Sequence, residues 1–458
     1  MHASRIAAIW SAFRLGQIGK RSNCLYVVAF SDGKPVSTFP ENALVAARTT
    51  LRSVFGFDDF RPGQAAIIEK VLAGADVLAI MPTGSGKSLC YQLPALLRER
   101  LTVVVSPLIA LMHNQVTQLR SRGIAAATLN SANDHAASRE TVERLNAGAL
   151  RLLYVSPERL AQPGTLALIR RAGAGLLAVD EAHCISQWGH AFRPEYLELG
   201  AARAALEGVQ TAAFTATADA ATRADIVERL FGAEPAVFVH GFDRPNLRLR
   251  MQIKTPGREE IRQFVWAHRG ESGIVYCGSR RKTEEIAHEL RQIGADARPY
   301  HAGLDPDLRA RHQELFLQRG GTVMVATIAF GLGIDKPDVR YVLHADLPAN
   351  IESYYHEIGR AGRDGLPADT LTLYGEGDIR LRRMQIAQSG ACERQKHIDR
   401  ARLDALVDLC ESTDCRRQSL LAYFGEAAPP CGNCDNCLEA ARRWWTAPLR
   451  WIRGRTSA

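Results

Sequence analysis

VLAIMPTGSGKSLCYQLPALL, residues 77–97, runs from four apolar residues through a glycine turn into an apolar-periodic segment. The apolar run reads as a buried strand, and the 3.6-residue spacing after the turn as a helix. Strand, loop and helix in that order open a parallel α/β sheet. The loop, Thr83, Gly84, Ser85, Gly86, Lys87 and Ser88, has the chemistry to hold a nucleotide such as ATP. Its glycines let main-chain N–H groups turn inward onto phosphate oxygens, and the helix beyond presents its positive end. Lys87 would reach the β/γ-phosphates and Ser88 would ligate Mg²⁺. The strict pattern has glycine where Met81 stands. The intact Gly86-Lys87-Ser88 end argues against a chance Gly-Ser-Gly turn.

Further along, residues 179–196 read VDEAHCISQWGHAFRPEY. Residues 176–179 form a second apolar run, and a strand there carries Asp180 and Glu181 at its carboxyl end, where open α/β sheets keep their sites. Asp180 would hold Mg²⁺, and Glu181 would orient or deprotonate the attacking water. An Asp-Glu pair after a strand is by itself often a solvated turn, but here a phosphate loop accompanies it. The residues that follow, Trp188, Phe192 and Arg193, suit single-stranded nucleic acid. Aromatic faces stack on unpaired bases for ~1–3 kcal/mol each, without sequence preference. A Trp and a Phe four apart usually anchor a helix to a core, but Gly189, His190 and Arg193 interrupt any clean apolar face.

Composition fits a large soluble protein. At 458 residues the chain exceeds the size of single cores, so two or three domains are expected. Hydrophobic residues at 46% and charged residues at 23% are ordinary, and no apolar run approaches a membrane span. The formal charge of +8 suits a polyanionic partner. Of the ten cysteines, Cys90, Cys184 and Cys277 fall in or beside apolar segments, as reduced core thiols do. That usage points to the cytoplasm.

Residues 1–50, with four basic side chains before the first acid, read as an extension, poorly ordered or left by an upstream start. From residue 51 the texture becomes βαβ. Strands are expected at 77–80, 102–105, 152–155, 176–179 and 212–214, and again at 273–277, 297–300, 322–326, 340–344 and 370–374. These give one lobe over 51–241 and another over 242–375, with a cleft between them that a ligand can close. A helical region follows over 376–440 and a basic, tryptophan-containing tail over 441–458. The second lobe lacks a phosphate loop but carries Arg360 and Arg363 in the glycine-rich turn 359–365. A guanidinium reaching across the cleft to the γ-phosphate is an arginine finger, worth ~10³–10⁵ in rate.

Near the end Cys431, Cys434 and Cys437 stand two residues apart. Three thiols at that spacing suit a tight knuckle around Zn²⁺, with Cys410 or Cys415 as the fourth ligand.

The chain resembles superfamily 2 helicases, and within them the RecQ family, from about residue 51 to 438. Residues 55–64 look like the family's motif 0, in which Phe57 would stack on adenine and Gln64 would read its polar edge, with Arg61 beside them. Motif I is the phosphate loop and motif II is Asp180-Glu181-Ala182-His183, which places His183 among the catalytic residues. Ser106-Pro107-Leu108 resembles motif Ia and Thr215-Ala216-Thr217-Ala218 motif III. Motif V corresponds to residues 326–337. The family's aromatic-rich loop falls on 185–196, and its zinc subdomain selects Cys415 as the fourth thiolate. Two departures stand in motif VI: His356 replaces the usual Gln, and Ile358 a small residue. In motif Ia, Asn114 replaces the usual Asp.

The expectation is thus an α/β chain of two tandem RecA-like lobes and a helical zinc subdomain, a short form without winged-helix or HRDC domains. The resemblance implies an ATP-dependent 3′–5′ DNA helicase acting on single strands and single/double-strand junctions in repair and recombination. It would use ATP, Mg²⁺ and Zn²⁺ and act in the cytoplasm, at the nucleoid in a bacterium. A nucleotide-switched DNA-binding or annealing module and an RNA-directed DEAH helicase are the alternatives.

Overall fold

The computed structural model describes residues 30–31, 34–35, 40–186, 193–330 and 336–440, with side chains from residue 43 onward. A two-residue hairpin, β1 (Phe30–Ser31) and β2 (Lys34–Pro35), precedes the two sheets.

The first sheet contains β3 (Val77–Ile80), β4 (Leu101–Val105), β5 (Ala126–Leu129), β6 (Leu152–Val155), β7 (Ala174–Val179), β8 (Gln210–Thr215) and β9 (Ala236–Val239). Its order is β5-β6-β4-β7-β8-β3-β9, parallel throughout. The central strands are buried on both faces, hence their continuous apolar runs. The order places the carboxyl ends of β7, β8 and β3 side by side. Motifs II, III and I leave the sheet at those ends.

The second sheet contains β10 (Leu247–Ile253), β11 (Ser272–Tyr276), β12 (Asp296–Tyr300), β13 (Thr322–Ala326), β14 (Val339–His344) and β15 (Ala368–Tyr374), in the order β10-β15-β14-β11-β13-β12, again parallel. The chain is an α/β protein of two RecA-like parallel-sheet lobes followed by a helical region with a cysteine cluster. Among the described residues, no helix is long and apolar enough to cross a membrane.

Three strands of the two large sheets lie outside the expected series. β5 is short, and β9 is an edge strand of mixed burial. β10 alternates buried Leu247, Leu249 and Met251 with outward Arg248 and Gln252, the pattern of a strand with one wet side. The boundary expected at residue 51 falls inside a continuous helical stretch. Helix Pro40–Thr50 passes into a π-helical turn, Leu51–Phe55, that ends on Gly56 at φ 74°. Ala47, Leu51 and Phe55 are buried in the first lobe's core, which is why the helix belongs to that lobe.

Candidate active site between the lobes

Gly84 and Gly86 have φ of 84° and 82°, a left-handed backbone that a Cβ would strain. Gly86 also faces Gln64, whose Nε2 would lie 2.5 Å from an added methyl group. Lys87 Nζ donates to the carbonyls of Met81 (3.2 Å) and Pro82 (3.5 Å), so the loop folds around its own lysine. Burial pushes the Lys87 ammonium below its usual range, while Glu181 and Asp180 push it back up. Helix Leu89–Leu97 begins at Ser88, and the Ser85 hydroxyl is buried with no partner among the described residues. Two left-handed glycines, a half-buried lysine, an unmatched hydroxyl and a helix start fit a polyphosphate.

Asp180 extends β7 by one bond, its N–H donating to Val105 O at 2.9 Å. Its own carbonyl accepts from the buried Tyr196 hydroxyl at 3.1 Å. Glu181 then turns out of the sheet at φ 49°, ψ 48°, a conformation few non-glycine residues adopt. The two carboxyls part company electrostatically. Burial first, then the adjacent Glu181 charge, raises Asp180 to about 7 against the pull of Lys87. Burial would raise Glu181 as well, but the hydrogen bond and charge of His183 outweigh it and hold Glu181 well below the usual range. His183 in turn is raised to about 10, Cys184 and Glu181 overcoming its burial. Its Nδ1 lies 3.3 Å from Glu181 Oε2 and 2.9 Å from Thr215 Oγ1. The motif II histidine thus touches motif III.

The second lobe closes the site. His356 sits on helix Ile351–Ile358 with Nδ1 3.4 Å from Thr83 Oγ1 and Nε2 3.0 Å from Thr217 Oγ1. Arg360 is buried, and a methyl group at Gly84 would lie 3.2 Å from Arg363 Cγ, so the arginine turn packs directly on the phosphate loop. The other motif VI departure, Ile358, is buried, lining a small apolar pocket with Phe242, Leu247, Leu249, Tyr355 and Leu421. A residue of that size fits because the zinc subdomain and the linker cover it.

Motif 0 lies on the outer rim. Phe57 is 48% exposed, a face open to stacking. Gln64 is buried instead: its Oε1 accepts from Arg61 N (2.8 Å), and its Nε2 donates to Ser85 O (3.0 Å) and Gly86 O (3.1 Å). Both donors of the amide are therefore spent on the phosphate loop, and reading adenine with them requires exchanging those bonds. Arg61 joins the same loop through Gly84 O.

Of the expected nucleic-acid loop, Trp188 and Phe192 lie outside the described residues, as do motif V residues 331–335 and the tail from 441. Arg193 is described. Its Nη1 donates to Pro107 O at 3.0 Å, which ties the loop's end to motif Ia.

The Sγ atoms of Cys415, Cys431, Cys434 and Cys437 lie within 4.8 Å of one another. Tetrahedral zinc with Zn–S of about 2.3 Å needs thiolates roughly 3.8 Å apart, so four such sulfurs fit the ion and fill its shell. Cys410 is outside the cluster, buried and pushed up to about 12 by that burial. The rivalry between Cys410 and Cys415 resolves to Cys415. Asp435 locks the knuckle, accepting from Arg416 Nε (3.0 Å) and from Met251 N of β10 (2.8 Å).

One participant had no sequence signal. Arg244, in the linker between the sheets, donates to Thr83 O in one lobe and to Gly359, Ala361 and Gly362 carbonyls in the other.

Three family models match in series: DEAD/DEAH box helicase over 61–226, helicase conserved C-terminal domain over 257–365, and RecQ zinc-binding over 376–438. The ATP-dependent DNA helicase RecQ of Pasteurella multocida is 46% identical over 416 residues, 90% of this chain and 66% of that protein. The Bacillus subtilis protein of the same name is 42% identical over 397 residues, 86% of this chain and 67% of the relative. The chain thus spans about two thirds of the length of these two relatives. Among solved structures, Mss116p bound to ssRNA and AMP-PNP superposes with a TM-score of 0.61 at 18% identity, covering 77% of this chain and 78% of that one, a likeness of fold. With the three models in order and the identity sustained along the chain, it belongs to the RecQ family of ATP-dependent DNA helicases.

Proposed function

We propose that the chain is a DNA helicase motor that hydrolyses ATP in the seam between its lobes and steps 3′ to 5′ along a single strand, separating duplex ahead of it in repair and recombination. One observation carries this reading: the arginine turn of lobe 2 packs on the phosphate loop of lobe 1 beside the Asp180–Glu181 pair. A nucleotide there would touch both lobes, so its hydrolysis would change the force between them. Lys87 would hold the β/γ-phosphates, Glu181 would orient the attacking water, and Arg360 and Arg363 would meet the charge that develops in the transition state. Ser88 and Asp180 would hold Mg²⁺, whose charge would offset that of the phosphates. Phe57, Arg61 and Gln64 would hold the base, Gln64 by exchanging its bonds to the phosphate loop. Trp188, Phe192 and Arg193 would contact DNA, Arg193 reporting to motif Ia through Pro107. Zn²⁺ on Cys415, Cys431, Cys434 and Cys437 would be structural, because four thiolates leave no open position. The buried free thiols suit action in the cytoplasm.

Separating DNA costs roughly 1.4 kcal/mol per base-pair step in stacking, so movement must be rectified by nucleotide state. Strand displacement on 3′-tailed and 5′-tailed duplexes tests the proposal. Displacement of the 3′-tailed substrate alone supports it, displacement of the 5′-tailed substrate overturns the polarity, and equal action on RNA overturns the DNA assignment.

A further inference from the structure

Residues 242–247 join the two sheets, and their polar groups are held from both sides. Arg244 uses all of its donors: Nε to Asn246 Oδ1 (3.4 Å), Nη1 to Thr83 O (3.0 Å) and Gly359 O (3.4 Å), and Nη2 to Ala361 O and Gly362 O (2.8 Å each). No carboxylate is among those partners. Asn246 Nδ2 adds bonds to Gly362 O and Leu366 O (2.9 Å each), and Ala368 N donates to Asn246 O at 3.0 Å. From the opposite side the zinc subdomain grips the same segment. Arg417 donates to Pro245 O and Leu247 O and pairs with Asp243 at 3.2 Å, while Asn433 Nδ2 donates to Pro245 O at 3.2 Å. Glu426 Oε2 accepts from Phe242 N at 2.6 Å.

We infer that Arg244 is a positioning residue for the arginine turn: its guanidinium staples the main chain of residues 359–362 to the phosphate loop, so that Arg360 and Arg363 are held in register with the phosphate site. The inference rests on the proposed ATP hydrolysis. A turn containing Gly359, Gly362 and Gly365 has a large conformational entropy to lose, about 1–2 kcal/mol per residue fixed. Three of its carbonyls converge on one planar cation, which restrains that main chain directly. The fourth bond, to Thr83, runs across the lobe seam and sets the turn against the loop its arginines serve. A lysine keeps the charge but not the fork, because a single ammonium cannot span carbonyls in two loops.

ATP turnover of the full chain, with Arg244→Ala, Arg244→Lys, Arg363→Ala and the Arg244→Ala/Arg363→Ala double variant, tests this. Both Arg244 variants should lose kcat on the order of 10²-fold, the cost of an ångström-scale misplacement, with KM for ATP little changed. The double variant should lose much less than the product of the two single losses, because Arg244 acts through the arginines, of which only Arg360 is left to misplace. Multiplying losses in the double variant, or a raised KM with kcat kept, would overturn the assignment and make Arg244 an independent structural or nucleotide-binding residue. Loss of a cooperative melt in both Arg244 variants would make it a folding residue and overturn the assignment too. Wild-type turnover separates the two claims. A wild type without turnover removes the proposed function and this inference together; normal turnover in both Arg244 variants removes only the inference.

Discussion

His356 Nε2 lies 3.0 Å from Thr217 Oγ1, and through its other nitrogen the same ring reaches Thr83, so one imidazole of the second lobe touches motifs I and III of the first. Together with the bonds from His183 to Thr215 and Glu181, and from Thr215 Oγ1 to Thr217 O at 3.1 Å, it completes a polar route from the Glu181 carboxylate to the loop at Thr83. Burial lowers His356 to about 3, with the charges of His183, Lys87 and Arg360 acting in the same direction and Glu181 opposing them. The ring is neutral at physiological pH, with one nitrogen donating and one accepting, which is how it stands in for an amide.

That neutrality has a pH signature. The folded value lies below the unfolded one, so between about pH 6.5 and about 3 the unfolded chain binds a proton at His356 that the native state refuses. The contribution is present in full above about pH 6.5 and is lost as pH falls, at up to roughly 1.4 kcal/mol per pH unit. Denaturant unfolding at pH 7.5 and pH 5 should show a smaller acid loss for His356→Gln than for wild type. Equal losses would place the ring in a wetter site than the fold gives it.

Gly86→Ala should abolish nucleotide binding while leaving the fold cooperative. The added methyl group meets Gln64 Nε2, and φ of 82° costs a non-glycine residue roughly 1–2 kcal/mol before any contact is counted. Binding of a fluorescent ATP analogue reads this out, and wild-type affinity in Gly86→Ala would contradict the phosphate-loop assignment.

Zinc content and thermal melting should divide the late cysteines. Wild type should carry zinc, Cys415→Ala should lose it with a marked drop in melting temperature, and Cys410→Ala should retain it, because the described cluster excludes Cys410. Retention by Cys415→Ala would refute the four-thiolate shell.

Trp188→Ala should keep basal ATPase and lose much of its stimulation by single-stranded DNA, since each stacked base is worth ~1–3 kcal/mol, about 5- to 150-fold in affinity. Stimulation at the wild-type level would remove Trp188 from the coupling role.

Much of the fold could be read from buried parallel strands, because a strand covered on both faces must be a continuous apolar run. β3, β4, β6, β7 and β8 announced themselves that way. β10 did not, because its arginine-containing alternation sits where a linker is expected and a strand at the sheet's edge needs only one apolar face. The phosphate loop and the cysteine knuckle were legible because each is local: neighbouring residues supply the whole chemistry. Arg244 was not, since its partners are carbonyls of Thr83 and of residues 359–362, and a carbonyl has no side-chain signature. The contacts of Gln64 are hidden for the same reason: its amide answers the main chain of Ser85 and Gly86.

The proposed motor has one nucleotide site, built from both lobes and driven by DNA. Steady-state ATP hydrolysis by wild type, Lys87→Ala and Arg363→Ala, with and without single-stranded DNA, tests it most directly. Wild-type turnover should rise with DNA, Lys87→Ala should show none, and Arg363→Ala should lose about 10³-fold or more with ATP still bound. Wild-type turnover indifferent to DNA, or an Arg363→Ala protein that hydrolyses ATP normally, would contradict it.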